Sequence, residues 1–194
     1  WFKRFSVNET PKDIVTEISF PCVLKPTFLS ASQGVIRADN VSEFCISFEI
    51  LSGLLSQEEM KIQGGDQANW ILVEEYISGK EVSIEGIVNE GKLKELAIFD
   101  KPEPLEGPTF PETIFITPAL LSEQLQISLL ETAQTALEAL GIIKGPVHVE
   151  LRINKNGNFI LECAARSIGG LCSKVLEFEG GMSLEELILR SALG

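Results

Sequence analysis

The stretch from Pro146 to Gly170 constrains the fold more than any other part of the sequence. It begins with alternating side chains typical of a β-strand, in which His148 and Glu150 fall on the same face. A second apolar run ends in Glu162, and the residues between the two runs, Asn-Lys-Asn-Gly-Asn, have the composition of a hairpin turn. The segment therefore predicts a β-hairpin that carries one acid on each strand.

The length of the turn decides whether the two acids meet. A loop of Lys155, Asn156 and Gly157 would place Glu150 directly opposite Glu162, whereas a two-residue Asn-Gly turn would put Glu162 on the other face. Two carboxylates about 5 Å apart on one face repel each other. A divalent cation between them removes that repulsion, and paired acids suit Mg²⁺ carried with a nucleotide phosphate. The alternative is a solvent-facing hairpin with two surface acids.

The composition is that of a globular protein with a strongly acidic balance. The chain has 194 residues, enough for one domain or two small lobes, and its 44% apolar and 23% charged content is ordinary. A formal net charge of −12 argues against nucleic acid and anionic membranes as partners. We find no signal peptide and no apolar run that could span a bilayer. The four cysteines lack a CxxC pattern, which predicts buried free thiols in a cytoplasmic protein.

Asn40, Ser122 and Ser183 are predicted to cap the beginnings of three helices. Hairpins and such capped helices follow one another without strict β-α-β alternation, which predicts an α+β fold in two lobes. Residues 56–68 are the best candidate for a mobile connection. The proline-rich composition of residues 100–118 predicts a long loop. Such loops often serve as lids or binding loops, but many only connect elements across the surface.

A lysine followed by a small, hydroxylic loop stands near the start of the chain. Lys25 ends an apolar strand, and the loop TFLSASQG leads to Gly34 and a second short strand. Serines and glycine in this position suit a loop that covers a phosphate, although such loops are also ordinary solvated tips.

Three segments, in this order, resemble the ATP-grasp superfamily and in particular its carboxylate–amine ligases, such as the L-amino acid ligases. FPCVLKP with its small-residue loop resembles the phosphate-binding strand and loop. ILVEEYISGKEVSIEG resembles the adenine hinge and the ribose acid, and HVELRINKNGNFILECAARSIGG resembles the metal-binding hairpin and its substrate arginine. The resemblance implies an ATP-grasp fold with a nucleotide cleft between two lobes, each with an antiparallel sheet and helices. These lobes would be residues 1–73 and 74–194.

The resemblance also implies roles for individual residues in binding ATP. The nucleotide residues would be Lys25 at the α/β-phosphates, Ser30, Ser32 and Gly34 in the loop over the phosphates, Glu74 with the backbone of Glu75 and Ile77 at adenine, and Glu81 at the ribose. Glu150 and Glu162 would bridge Mg²⁺ (or Mn²⁺) to the β- and γ-phosphates. Arg166 would hold the substrate carboxylate or the acyl-phosphate formed from it.

Some positions depart from the family pattern or allow two interpretations. Ala164 stands where the family often has Asn, and His148 stands where several relatives carry Arg. His148 would stabilise the transferring phosphoryl group or coordinate metal, or else be a hydrogen-bonded strand histidine. Glu112 lies where some members meet a substrate amine, but it is equally a solvated loop acid, and Lys101 is a similar case.

The function that the resemblance implies is an ATP-dependent ligase. It would form an acyl-phosphate from a small carboxylate, which an amine would attack to give an amide or peptide bond with release of ADP and phosphate; amino acids are candidate substrates. The alternative is a nucleotide-binding module without ligase activity. The chain resembles only the central region of such ligases, without their N-terminal domain, so we expect that the isolated chain can be inactive and that a homodimer could form through regions outside it.

Overall fold

The structure is a computed structural model that describes residues 1–103, 105–111 and 114–194. The strands are β1 Phe2–Ser6, β2 Cys22–Pro26, β3 Ile36–Ala38, β4 Trp70–Glu75, β5 Lys80–Asn89, β6 Lys92–Lys101, β7 Gly145–Asn154, β8 Gly157–Ala164, β9 Glu177–Phe178 and β10 Met182–Ser183. The helices are α1 Pro11–Ile14, α2 Val41–Leu55, α3 Glu58–Gly64, α4 Glu123–Ala139 and α5 Leu184–Leu193. No helix in these described ranges has the length and apolarity needed to cross a bilayer.

The chain divides into two compact units. Unit 1 comprises residues 1–77 and the described part of 105–113, and unit 2 comprises the described parts of 78–104 and 114–194. The assignment of residues 1–73 and 74–194 to two ATP-grasp lobes stays a prediction.

Unit 1 is built on an antiparallel sheet with the strand order β1-β4-β2-β3. Helix α2 begins at a capping box, in which the Asn40 side chain accepts a hydrogen bond from the Glu43 backbone N–H at 3.1 Å. Its buried side chains recur at helical spacing and join the core of the sheet; they include Phe44, Phe48, Leu51 and Leu55. Burial of each such side chain stabilises the fold by roughly 1.5–3 kcal/mol relative to exposure.

The prediction of a mobile connection at residues 56–68 is wrong. The chain there forms helix α3 and a 3₁₀ helix over Gly65–Asn69. Two acids, Glu58 and Glu59, occupy the first turn of α3, where the helix dipole favours negative charge. A Cβ added at Gly64 would meet the Phe28 ring at 2.5 Å, so the glycine permits the close approach of that ring.

Unit 2 is built on a second antiparallel sheet, with the strand order β6-β5-β7-β8. One face packs against α4 through an apolar cluster; its buried members include Val82, Ile84, Val149, Leu151, Leu129, Ala133 and Leu137. The opposite face carries charged side chains and a smaller apolar cluster of Ala97, Phe99, Ile168, Leu176 and Leu184. The predicted α+β class is confirmed.

Strand β6 extends to Lys101, so the prediction that a loop begins at Asp100 is wrong. The backbone of Asp100 pairs with Val82 of β5 and also exchanges hydrogen bonds with Ile116 at 2.8 and 2.9 Å. This pairing on both sides holds the strand end in the sheet and places the Lys101 side chain on the charged face.

Candidate functional site

The hairpin of β7 and β8 places Glu150 directly opposite Glu162, as predicted. The predicted turn is wrong, because Asn154 pairs with Gly157 and the loop therefore consists of two residues, Lys155 and Asn156. Gly157 has the predicted positive φ, at 135°, but it lies at the start of β8 rather than in the loop.

A β-bulge restores the pairing of the two acids. Leu151 pairs with Ile160 and Glu150 pairs with Glu162, so Leu161 is the extra residue of the bulged strand. Without this extra residue, the two-residue turn would place Leu161 opposite Glu150 and turn Glu162 to the other face. The bulge therefore decides that the two carboxylates share one face.

The two acids differ in exposure and in their partners. The Glu150 side chain is 16% exposed, and its Oε1 accepts a hydrogen bond from Lys101 Nζ at 2.7 Å and lies 3.3 Å from His148 Nε2. The Glu162 side chain is 49% exposed, and its Oε1 lies 4.0 Å from Arg166 Nη2. Glu150 Oε2 has no hydrogen-bond partner in the described part of the chain. The hairpin thus offers carboxylate oxygens on one face, and Arg166 follows Glu162 by four residues.

A network of alternating charges, here called the charged network, lies on the same face, and all of its members are buried except the partly exposed Glu150. Its members are Glu81 and Glu85 on β5, Lys101 on β6, and His148, Glu150 and Arg152 on β7. Lys101 Nζ donates at 2.7 Å to both Glu81 and Glu150. Arg152 approaches Glu81 Oε2 with Nε and Nη2, each at 3.0 Å. The network is neutral when His148 is protonated, which offsets the desolvation of its charges.

Hydrogen bonding shifts the protonation equilibria of this network. Burial by itself disfavours the charged imidazolium, but the bonds to Glu150 and Glu85 outweigh it and raise the pKa of His148 to about 9. Burial disfavours the Glu150 carboxylate, but His148 and Lys101 lower the pKa of Glu150 to about 2. Burial likewise disfavours the Lys101 ammonium, and the charges of Glu150 and Glu81 raise its pKa overall.

Glu85 is a member of the charged network that the sequence did not single out. It is 1% exposed, its Oε1 contacts His148 Nδ1, and its Oε2 accepts a hydrogen bond from the Ile168 backbone N–H at 2.8 Å. The sequence feature that could have identified Glu85 is an acid in the middle of an apolar strand, on the same face as Glu81. Its partners lie on distant parts of the chain, and no local pattern identifies them.

In unit 1, two of the predicted nucleotide residues contact each other. Lys25 on β2 forms an ion pair with Glu74 on the neighbouring strand β4, with Nζ and Oε1 2.6 Å apart. Both side chains keep partial exposure, 21% and 26%. Glu75 is exposed and lies 3.4 Å from the N-terminal amine of the described chain, whereas Ile77 is half-buried.

Tyr76, the residue after Glu75, belongs to a stack of side chains that the sequence did not predict. The guanidinium carbon of Arg37 lies 4.0 Å from the centre of the Tyr76 ring, a cation–π arrangement. The Phe110 ring stacks near Tyr76 with centroids 6.4 Å apart. Arg37 also donates to the Glu106 carbonyl at 2.6 Å, so the described residues 105–111 are held to β3 within unit 1.

The small-residue loop forms a tight turn. Ala31 and Ser32 adopt positive φ angles of 55° and 54°, and Val35 N–H donates to the Ser32 carbonyl at 3.1 Å. Ser30 is exposed and Ser32 is half-buried. Gly34 has a φ of 74°, and a Cβ there would lie 2.9 Å from Pro26, so this position requires glycine for both reasons.

The predicted site residues divide between the two units. Lys25, the loop and the hinge residues lie in unit 1, and Glu81, His148, Glu150, Glu162 and Arg166 lie in unit 2. Glu112 lies outside the described residues.

The sequence and the fold identify the family of this chain. Residues 18–175 match the model of the ATP-grasp domain, and the chain belongs to this family. The backbone superposes on the crystal structure of L-amino acid ligase from Bacillus licheniformis with a TM-score of 0.81 and 30% identity, over 99% of this chain and 45% of that one. The predicted family and the predicted ATP-grasp fold are therefore confirmed.

Characterised proteins similar to this chain include ligases named for amino acids. Alanine–anticapsin ligase of Bacillus subtilis (strain 168) is 29% identical in an alignment 201 positions long, which covers 96% of this chain and 42% of that protein. D-alanine–D-alanine ligase of Flavobacterium johnsoniae is 30% identical in an alignment 189 positions long, which covers 90% of this chain and 52% of that ligase. The chain thus spans about half the length of these relatives or less.

Proposed function

We propose that this chain is the ATP-grasp region of an ATP-dependent carboxylate–amine ligase. In this reaction a substrate carboxylate oxygen attacks the γ-phosphorus of ATP, which releases ADP and leaves an acyl-phosphate. An amine then attacks the acyl carbon and expels phosphate, which forms an amide or peptide bond. The relatives' names support amino acids as substrates. We propose that units 1 and 2 are the N-terminal and C-terminal lobes of this region.

The observation that carries the proposal is the cross-strand pair of Glu150 and Glu162 with Arg166 beside it. Carboxylate oxygens are ligands that Mg²⁺ prefers, and this ion is commonly held by one or two carboxylates together with substrate phosphates. Glu150 Oε2 and the half-exposed Glu162 carboxylate supply such oxygens. No cluster of three or more His, Cys, Asp or Glu side chains suited to a metal occurs among residues 1–103, 105–111 and 114–194. The Glu150–Glu162 pair supplies two carboxylates, a number that fits Mg²⁺, or Mn²⁺, bound together with a nucleotide.

The remaining roles follow from the charge and position of each side chain. Bound Mg²⁺ would neutralise charge on the β- and γ-phosphates. Lys25 would exchange its ion pair with Glu74 for a phosphate oxygen, to which an ammonium group is well suited. Glu74 would then be available to the adenine amino group, next to the backbone of Glu75 and Ile77. The turn with Ser30, Ser32 and Gly34 would close over the phosphates.

Unit 2 supplies the groups proposed for the ribose and the substrate. Glu81 Oε1 accepts a hydrogen bond from Lys101, and a carboxylate oxygen can accept a second one, here from a ribose hydroxyl. The half-exposed Arg166 guanidinium has the fork geometry that binds a carboxylate or an acyl-phosphate. His148 would contribute positive charge near the transferring phosphoryl group. Such positioning and electrostatic stabilisation supply most of the catalysis in phosphoryl transfer, and no side-chain nucleophile is needed.

Isothermal titration with Mg²⁺ and a non-hydrolysable ATP analogue tests the metal assignment. We expect Mg²⁺-dependent binding that Glu150→Gln and Glu162→Gln each weaken by about tenfold or more, because even outer-shell partners of a metal contribute about 10- to 100-fold. Glu95→Gln is the matched control, since Glu95 is an exposed acid on β6 of the same sheet. Affinities of both variants equal to that of the control would refute the metal assignment.

Phosphate release distinguishes a ligase from a nucleotide-binding module. The protein is incubated with ATP, Mg²⁺ and pairs drawn from the twenty L-amino acids and D-alanine. A ligase releases phosphate only when amino acids are present, and the peptide is detected by mass spectrometry. Mg²⁺-dependent binding without amino-acid-dependent phosphate release by the complete protein would instead support the non-catalytic alternative.

A further inference from the structure

We infer that Glu85, which no part of the proposed mechanism uses, is a positioning residue that sets the geometry of both Glu150 and the Arg166 segment. The inference rests on the proposed function, because it concerns the residues assigned there to metal and substrate. Glu85 does not itself reach those ligands. It acts through His148 on one side and through the backbone of Ile168 on the other.

The two carboxylate oxygens of Glu85 join three separate elements. Glu85 lies on β5, its Oε1 contacts His148 on β7, and its Oε2 accepts from Ile168 N–H at 2.8 Å in the segment that follows β8. The carboxylate is 1% exposed. A buried carboxylate is expensive to desolvate, and here both oxygens have donors, so its geometry is determined by these partners.

The bond to Ile168 fixes the segment that carries Arg166. The Ile168 side chain is buried in the apolar cluster with Phe99 and Leu184, and among the described residues Glu85 alone accepts a hydrogen bond from its backbone N–H. Arg166 precedes this anchor by one intervening residue, and its Nη1 donates to the Ser167 carbonyl at 2.9 Å. The direction in which the guanidinium leaves the backbone therefore depends on an anchor that Glu85 supplies.

The contact between Glu85 and His148 determines the orientation of Glu150, the proposed metal ligand. His148 Nδ1 faces Glu85 and Nε2 lies 3.3 Å from Glu150 Oε1. Because the carboxylates that face the two ring nitrogens only accept hydrogen bonds, the imidazolium donates through Nδ1–H to Glu85 and is held with its Nε2–H directed at Glu150 Oε1. Glu150 Oε2, the oxygen without a partner in the described residues, is thereby left for the cation. Glu85 thus orients the metal acid and the substrate arginine together.

Three variants of the complete protein test this role. Glu85→Ala removes both acceptors. Glu85→Gln keeps the shape, because its amide oxygen can accept from Ile168 N–H while its NH₂ group donates to a neutral His148 that still donates to Glu150. Glu95→Ala is the matched control, since it removes an exposed acid from the same sheet.

Two measurements that do not need a known substrate are informative. The first is hydrogen exchange at the backbone amides of Ile168 and its neighbours. The second is isothermal titration of Mg²⁺ in the presence of ADP, together with titration of ADP in the absence of metal. A loss of folding would weaken both affinities, whereas a positioning role acts on the Mg²⁺ affinity alone.

We expect Glu85→Ala to abolish protection of the Ile168 amide and to weaken Mg²⁺ binding by about 10- to 100-fold, with metal-free ADP affinity unchanged. Glu85→Gln should restore both properties, and Glu95→Ala should change neither. The inference would be overturned, and the proposed function left intact, by either of two results. One is that Glu85→Ala binds Mg²⁺ as tightly as Glu95→Ala does. The other is that Glu85→Ala loses Mg²⁺ binding and metal-free ADP binding to the same extent. If the unsubstituted protein binds no Mg²⁺ in the presence of ADP, the proposed function and this inference about it both fail. The exchange data then show only whether Glu85 anchors the segment.

Discussion

Removal of the imidazole at position 148 should change how the stability of the protein depends on pH. His148 is the single histidine of the sequence, it is 5% exposed, and its ring nitrogens face Glu85 and Glu150. Burial opposes its charge, but the two carboxylates raise its pKa from 6.5 to about 9. The substitution His148→Gln removes this titrating group while keeping a hydrogen-bonding side chain.

The sign and size of the effect follow from proton linkage. Between 6.5 and about 9 the folded protein holds a proton on His148 that the unfolded chain has lost, so the free energy of unfolding falls as pH rises. The stabilisation is fully present below pH 6.5 and is lost as pH rises through about 9. At about 1.36 kcal/mol for each pH unit, this interval corresponds to roughly 3 kcal/mol. The lowered pKa of Glu150 arises partly from the same contact with His148, so its contribution to stability is not added to this value.

Urea unfolding at several pH values, in a buffer with a chelator and no divalent cation, measures the difference between the unsubstituted protein and His148→Gln. We expect that difference to shrink by roughly 3 kcal/mol between pH 6 and pH 10, whereas the titration of cysteines and the N-terminal amine cancels between the two proteins. The imidazole resonance in an NMR titration reports the same equilibrium directly, since only one histidine is present. A midpoint at or below 6.5, or a difference that does not vary with pH, would refute this account of the charged network.

Two further substitutions near the predicted site, and one control substitution in helix α2, are compared by urea unfolding. Lys101→Met removes a buried ammonium that donates to two acids. It should lower the free energy of unfolding by about 3 kcal/mol, the lower end of the range for a broken buried ion pair, because each acid keeps another cationic partner; a loss below about 1 kcal/mol would contradict this. Gly34→Ala should lower the free energy of unfolding by about 2 kcal/mol, because the position has a φ of 74° and its Cβ would overlap Pro26. Gly53→Ala, at a helical position with no neighbouring atom within 4 Å of the added Cβ, should instead raise it by up to about 1 kcal/mol. Equal effects of the two glycine substitutions would show that space and φ do not decide the outcome.

The sequence predicted those features that neighbouring residues determine. The helix beginnings at Asn40, Ser122 and Ser183 are confirmed, and in each the cap side chain accepts a hydrogen bond from a backbone N–H three residues later. These contacts span one helical turn, so the residues that make them are visible in the sequence. The family could also be recognised, because strand, loop and hairpin motifs occur in a fixed order.

The pairing of Glu150 with Glu162 shows where such reasoning stops. The pair was predicted correctly from an incorrect turn, because a loop one residue shorter is compensated by the bulge at Leu161. A three-residue loop and a two-residue loop followed by a bulge give the same pairing at the two acids. They differ only in the pairing of the residues between the loop and the acids. Turn propensities alone do not locate a bulge, since the extra residue is determined by side-chain packing along the whole strand.

The sequence by itself determined the secondary structure near its caps and the class of the fold, and it predicted candidate residues for metal and nucleotide binding. The tertiary structure decided which charges meet: it brought Lys101 from a predicted loop onto β6, and it joined Glu85 to His148 and Ile168, which are 63 and 83 residues away along the chain. The physical reason is that a buried ion pair needs its partner within a few ångströms in space, and the sheet order that supplies this partner depends on the packing of the entire chain.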